Sequence, residues 1–207
     1  MERQQDLEEI RSEVFILLGK TIVNLQSVER MLKTIVGRTE IRGDIETAAK
    51  VFQSNFTRVE SLTMGKLINE LITFSLTTEE DGGSEIQTSN PREFAFRSRI
   101  IMDEATFKDI KRGFSQLVRK RNALSHKFTT LFDLQTKQGS LSAINYLNNF
   151  IPLIRDHHTF LGELVKVRRQ STEALLLELS NSFEQSENAT EPTPNDPEKG
   201  AHTASSS

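Results

Sequence analysis

LEEIRSEVFILLGKTIVNLQSVERMLKTIV, residues 7–36, decides the fold class. Its apolar residues stand at Leu7, Ile10, Val14, Leu17, Leu18, Ile22, Leu25, Val28, Leu32 and Ile35. Steps of three and four put them on one side of an α-helix, so the spacing predicts a long amphipathic helix, closed by Gly37. A helix with one apolar side must bury it against other elements.

Working outward, Asp44 is placed to cap a second helix running to about Phe52. Ser61 is placed to cap a third, with Met64, Leu67, Ile68, Leu71 and Ile72 as its apolar face. Residues 77–92 are polar, hold Gly82, Gly83 and Pro91, and read as a loop excursion extending to about residue 102. Helical spacing resumes near Asp103, passes Phe128, and breaks at Gly139 and Ser140. A last pattern runs from Leu141 through Ile144, Leu147, Ile151, Ile154, Phe160, Leu164, Val167 and Leu175 to Leu179, with Pro152 expected to kink that helix or mark its start. No strand-like alternation persists and no internal repeat is seen. The reading is therefore all-α, an antiparallel helical bundle over residues 1–185.

The chain has 207 residues, a formal net charge of −3 and no Cys or Trp. Lack of Cys excludes disulfides, zinc–thiolate sites and cysteine nucleophiles. The polar start at Met1, Glu2, Arg3 and Gln4 gives no signal peptide, and the run from Val14 to Leu18 is too short to span a membrane. A soluble, cytoplasmic protein is expected. Residues 186–207 carry four acids (Glu187, Glu191, Asp196, Glu198) and one base (Lys199). They contain no Ile, Leu, Val, Phe, Met or Tyr, and hold three of the five prolines. Such a tail has too little apolar surface to offset the entropy of ordering, so it reads as a disordered acidic appendage on a body of zero net charge.

Within that neutral body, KRGFSQLVRKRNALSHK, residues 111–127, has six bases and no acid. At 100° per residue, Arg112, Ser115, Arg119, Asn122, His126 and Thr129 share one face. Ile110, Phe114, Leu117, Leu124, Phe128 and Leu131 form the apolar stripe. Arg121 interrupts that stripe, where a guanidinium is costly unless it is paired or faces a polar cleft. A residue that violates its local pattern in this way points to an ion pair or a functional site.

The stretch from Arg121 through Asn122 to His126 resembles the R-x4-H signature of HEPN domains, helical bundles found in many toxin and antiviral ribonucleases. Echoes at residues 28–33 (VERMLK) and 64–68 (MGKLI) extend the resemblance over about residues 5–183. With 15 Arg and 4 His in the chain, chance supplies about 0.3 such pairs, and roughly 0.03 when Asn, Asp or His must follow the Arg. The resemblance implies a metal-independent endoribonuclease without cofactors, a toxin or abortive-infection effector acting on cellular RNA. His126 would act as general base or acid. Arg121 would grip the scissile phosphate with its planar fork, and Asn122 would orient the imidazole or a phosphate oxygen. Arg112, Arg119, Lys120 and Lys127 would hold the RNA backbone. Five helical positions set Arg121 and His126 about 140° apart, which favours a homodimer whose sites draw on two copies of the helix. An antitoxin or sensor protein is the further partner implied. Some members carry a modified Tyr two residues after the His; Phe128 stands there, so control by that modification is not expected.

Blander readings stand beside these. Arg121 could be a structural ion pair with Glu29 or Glu13, and the domain a catalytically inactive dimerisation, interaction or RNA-binding module. Asp156, His157 and His158 are adjacent rather than three or four apart, so no metal site is expected. Lys166, Arg168 and Arg169 read as a solvated face, and Phe52, Phe56, Phe94 and Phe96 as core.

Overall fold

The computed structural model describes residues 2–44, 48–78, 93–97 and 99–188. In chain order the elements are α1 (Glu2–Val36), β1 (Glu40–Asp44), α2 (Ala48–Glu60), α3 (Met64–Glu70), β2 (Leu76–Thr78), β3 (Glu93–Arg97), β4 (Ile100–Met102), α4 (Glu104–Leu131) and α5 (Lys137–Asn188). A π-helical turn, Leu71–Ser75, follows α3, and the Leu76 amide closes it by donating to the Leu71 carbonyl. The fold is mostly helical, as the periodicity predicts. Contacts divide the chain into Met1–Arg168 and Arg169–Ser207.

In the first unit the bundle directions follow from the pairs that touch. His158 Nε2 lies 3.1 Å from Ser27 Oγ, and Arg168 donates to the Ile35 carbonyl, so α1 and α5 run parallel. Phe114 meets His157 and Phe160 edge-on at 4.5 and 6.0 Å, while Phe132 meets Tyr146 at 5.3 Å, so α4 runs antiparallel to α5. Lys33 bonds Glu60, and Phe56 packs at Gly37, so α2 returns along the end of α1. The core between them holds Val28, Leu32 and Ile35 of α1, Leu67 and Ile68 of α3, Phe114 and Leu117 of α4, and Leu147, Phe150 and Ile154 of α5. Burying one such side chain contributes about 1.5–3 kcal/mol, which is what fixes the register of the helices.

Several boundaries differ from the sequence expectation. Asp44 ends β1 instead of capping a helix, and α2 begins at Ala48. Thr63, not Ser61, caps α3, its side chain accepting from the Lys66 amide. Ser61 instead donates to the Arg58 carbonyl at the end of α2. The excursion before α4 contains strands β3 and β4, which pair with earlier segments: β1 antiparallel with β3, and β2 parallel with β4. They span three to five residues each, too short for alternation to register.

Gly139 and Ser140 do not break the chain; they lie in the first turn of α5, and the break falls at residues 132–136. There the Gln135 amide donates to Asp133 Oδ1, and Thr136 Oγ1 caps α5 by accepting from the Gly139 amide at 3.1 Å. A Cβ at position 139 would sit 2.0 Å from the Asp133 carbonyl oxygen, so this turn closes only on glycine. Pro152 lies inside α5 on its exposed side, so it does not mark the helix start. Residues 189–207 of the acidic tail lie outside the described residues, as do the side chains of Phe52, Phe94 and Phe96, whereas Phe56 is partly buried against the core.

In the second unit, residues 169–188 are helical, and Arg169 Nε bonds Glu173 Oε1 at 2.7 Å.

Candidate functional site

Asp103 starts α4: its carboxylate accepts from the Thr106 amide at 2.8 Å and from the Thr106 hydroxyl at 2.6 Å. Those bonds hold the Asp103 carboxyl below its ordinary range. From that fixed end the helix runs past residue 130 and presents two distinct sides. Phe114, Leu117, Leu124 and Phe128 are buried and Ile110 partly so. Leu131, expected in the same stripe, is 53% exposed; at the end of the helix Phe132 takes the packed position instead, against Phe128 and Tyr146. Arg112, Ser115, Arg119, Asn122, His126 and Thr129 are all exposed, so one face of α4 is polar over nearly five turns.

Arg121 is partly buried between Leu117 and Leu124. Its Nη1 donates to Asn122 Oδ1 at 3.2 Å. Among the described residues no carboxylate pairs with it, and Glu29 is engaged by Lys33 at 3.6 Å. The Asn122 bond has a geometric consequence. Asn122 and His126 are four residues apart, about 40° around the helix, so a guanidinium drawn to Asn122 is drawn toward the side that carries His126. The 140° between the two Cα directions overstates the separation of the functional groups, because a long Arg stem spans part of it.

The four proposed backbone contacts are not equivalent. Arg119 and Lys127 are exposed, as is Lys111 about two turns before Arg119. Arg112 is exposed but shares an ion pair with Asp109 at 3.2 Å. Lys120 turns inward instead, its ammonium 5.6 Å from the Tyr146 ring centre and 5.5 Å from that of Phe150. The Tyr146 hydroxyl donates to the Lys120 carbonyl at 3.3 Å, so this lysine clamps α4 to α5. Without Lys120, Arg119 and Lys127 are the exposed cations that remain near Asn122 and His126.

Adjacent histidines on α5 go to separate places. His157 is buried against Phe114, with Nδ1 at 2.8 Å from the Leu153 carbonyl, and Gly113 leaves room for its ring. His158 turns to Ser27. Among the described residues no cluster of three or more His, Asp or Glu is positioned to hold a metal ion.

Arg168 is the polar residue the sequence reading misplaced. It is 8% exposed, not solvated, and donates to the Ile35 carbonyl and to Thr39 Oγ1, the latter at 2.9 Å. Thr39 Oγ1 in turn lies 2.6 Å from Ser75 Oγ, so the guanidinium joins α5, the end of α1 and the π-helical turn. Burial lowers its pKa to about 10. The signal was present: Ile154, His157, Leu161, Leu164 and Arg168 step by three and four, and all five are buried.

No helix of the described residues is long and apolar enough to cross a membrane. No protein-family model, curated protein or solved structure matches this chain.

Proposed function

We propose that the polar face of α4 is a metal-independent ribonuclease site of HEPN type, and that the chain is a toxin or antiviral effector acting as a homodimer on cellular RNA. The observation that carries this reading is Arg121. A cation stands in the apolar stripe, partly buried, with Asn122 as its neutral partner and no carboxylate beside it among the described residues. It takes a place that the apolar stripe would give to a hydrophobic side chain and gains no ion pair in return, which marks a residue kept for an anionic ligand.

The chemistry follows from the groups at hand. Arg121 neutralises the non-bridging phosphate oxygens as a 2′-oxygen attacks phosphorus and the bond to the 5′-oxygen breaks. The products are a 2′,3′-cyclic phosphate and a 5′-hydroxyl. His126, exposed and one turn from Asn122, either takes the 2′-hydroxyl proton or returns one to the leaving oxygen. Asn122 holds the guanidinium on the His126 side, so a single α4 presents all three groups. Arg119 and Lys127 supply sequence-independent grip on the backbone.

The test is cleavage of a mixed-sequence RNA by the purified chain in excess EDTA. Cleavage that vanishes in His126→Ala and in Arg121→Ala, with helicity unchanged, supports the reading. A parent that binds RNA in a salt-dependent way but never cuts it makes α4 a binding surface, and a parent that does neither overturns both.

A further inference from the structure

The buried side of α1 is Val14, Thr21, Leu25, Val28, Leu32 and Ile35, and Ile22, expected to join it, is 42% exposed. Ile22 belongs to a second apolar stripe on the opposite side. Phe15 (54% exposed), Ile16 (55%) and Val23 (62%) complete it. Gly19 lies at its centre.

The arrangement is symmetric about Gly19 in a way that one chain does not require. Counting outward, Ile16 mirrors Ile22, Phe15 mirrors Val23, Ser12 mirrors Gln26, and Glu8 mirrors Arg30. At 100° per residue all nine positions fall within about 60° of the Gly19 direction, and all nine are exposed. A two-fold axis through Gly19 would place each residue opposite its mirror on an antiparallel copy, which is the condition of an isologous interface. Apolar residues then meet apolar residues in the middle, Ser12 meets Gln26, and the acid Glu8 meets the base Arg30 at both ends. Within its own chain Glu8 bonds Arg11 at 2.8 Å, one residue outside the stripe. Arg30 has no carboxylate partner among the described residues.

Gly19 supplies a second, independent reason. Glycine inside a helix costs about 1 kcal/mol relative to alanine, and a Cβ built at Gly19 would meet nothing within 4 Å. Packing within the chain therefore gives no ground for glycine there. A helix crossing does, because a missing Cβ lets two backbones approach. With axes about 8–10 Å apart and Cα radii of about 2.3 Å, the two Gly19 Cα atoms would be roughly 3–5 Å apart.

We propose that a second copy of this chain binds here, its α1 antiparallel to the first and crossing it at Gly19. This interface stands whether or not α4 cleaves RNA.

The lack of cysteine makes the geometry directly testable in the full chain. The parent is expected to sediment at twice its 23.5 kDa mass. Gly19→Leu, whose Cβ meets nothing within its own chain but whose side chain would stand in the crossing, should weaken self-association while leaving helicity unchanged. Ser12→Cys alone should not oxidise to a disulfide-linked dimer, since the two thiols would be separated by fourteen residues of helix, about 21 Å. A mixture of Ser12→Cys and Gln26→Cys chains should cross-link to each other. Phe15→Asp should give monomer with unchanged helicity. Glu8→Arg should weaken self-association about fivefold, and adding Arg30→Glu should restore it. A monomeric parent overturns the proposal, as does a dimer that survives Phe15→Asp and leaves the mixture of Ser12→Cys and Gln26→Cys chains unlinked.

Discussion

Replacing Arg121 by leucine separates a structural guanidinium from a functional one, because the two roles predict opposite signs for stability. The position lies in the apolar stripe of α4, between Leu117 at 0% and Leu124 at 6% exposure, and is itself partly buried. Complete burial of a leucine contributes about 1.5–3 kcal/mol. Half of that is available here, and the arginine stem already covers some of the same surface. Against it stands the bond to Asn122 at 3.2 Å, a neutral-acceptor contact at an exposed side chain and worth about 0.5 kcal/mol. The balance is a gain of about 0–0.5 kcal/mol for Arg121→Leu, at most roughly 2 °C in Tm for a chain of this length. Urea unfolding followed by circular dichroism measures it, alongside the RNA-cleavage assay. The expected result is a variant at least as stable as the parent and inactive on RNA. A loss of more than about 1 kcal/mol would refute the reasoning, since it would mean that the guanidinium holds the fold together through partners its position does not suggest.

Other perturbations test the scaffold that presents the site. Gly139→Ala should lower stability by at least about 2 kcal/mol, because its Cβ would fall 2.0 Å from the Asp133 carbonyl oxygen; the urea midpoint checks it. Arg168→Ala should cost about 3 kcal/mol, since it empties a buried position and removes donors to Ile35 and Thr39; an unchanged Tm would show that the network is dispensable. Asp103 is held below its ordinary value by Thr106, so its contribution is present above about pH 4 and lost as pH falls below that. Asp103→Asn keeps a capping oxygen but no titrating charge, and the drop in urea midpoint from pH 6 to pH 3 should be smaller than in the parent.

The long helices were legible because each repeats its apolar spacing over many turns, and α1, α4 and α5 emerge from residues such as Val14, Leu117 and Leu147 alone. What escaped was short or non-local. β2 and β4 span three residues each, and their pairing joins segments more than twenty positions apart in sequence. Thr63 displaced Ser61 as a cap because the chain needed a turn at Ser61 first, where the hydroxyl bonds Arg58. On α4 the division into a polar face and a buried stripe was readable from the 3.6-residue period. The inward turn of Lys120 was not, because it depends on Tyr146 and Phe150, some 26–30 positions away in sequence and adjacent only in the bundle.

Arg121 and Arg168 show why an anomaly in pattern must be weighed with its surroundings. Both continue an apolar stripe at helical spacing, and sequence alone gives no ground for separating them. Arg168 is the more deeply buried, yet its guanidinium is met by the Ile35 carbonyl and the Thr39 hydroxyl, which turn a desolvated cation into a joint between three elements. Its cost is offset where it stands, and burial lowers its pKa without leaving the group idle. Arg121 lies nearer the surface with less around it: one neutral oxygen, on a residue that is itself exposed. Stability alone would favour leucine at that position and arginine at the other. On the proposed reading, that difference is why Arg121, five positions before an exposed histidine and near Arg119 and Lys127, is the arginine assigned to an anionic ligand, and Arg168 the one assigned to the fold.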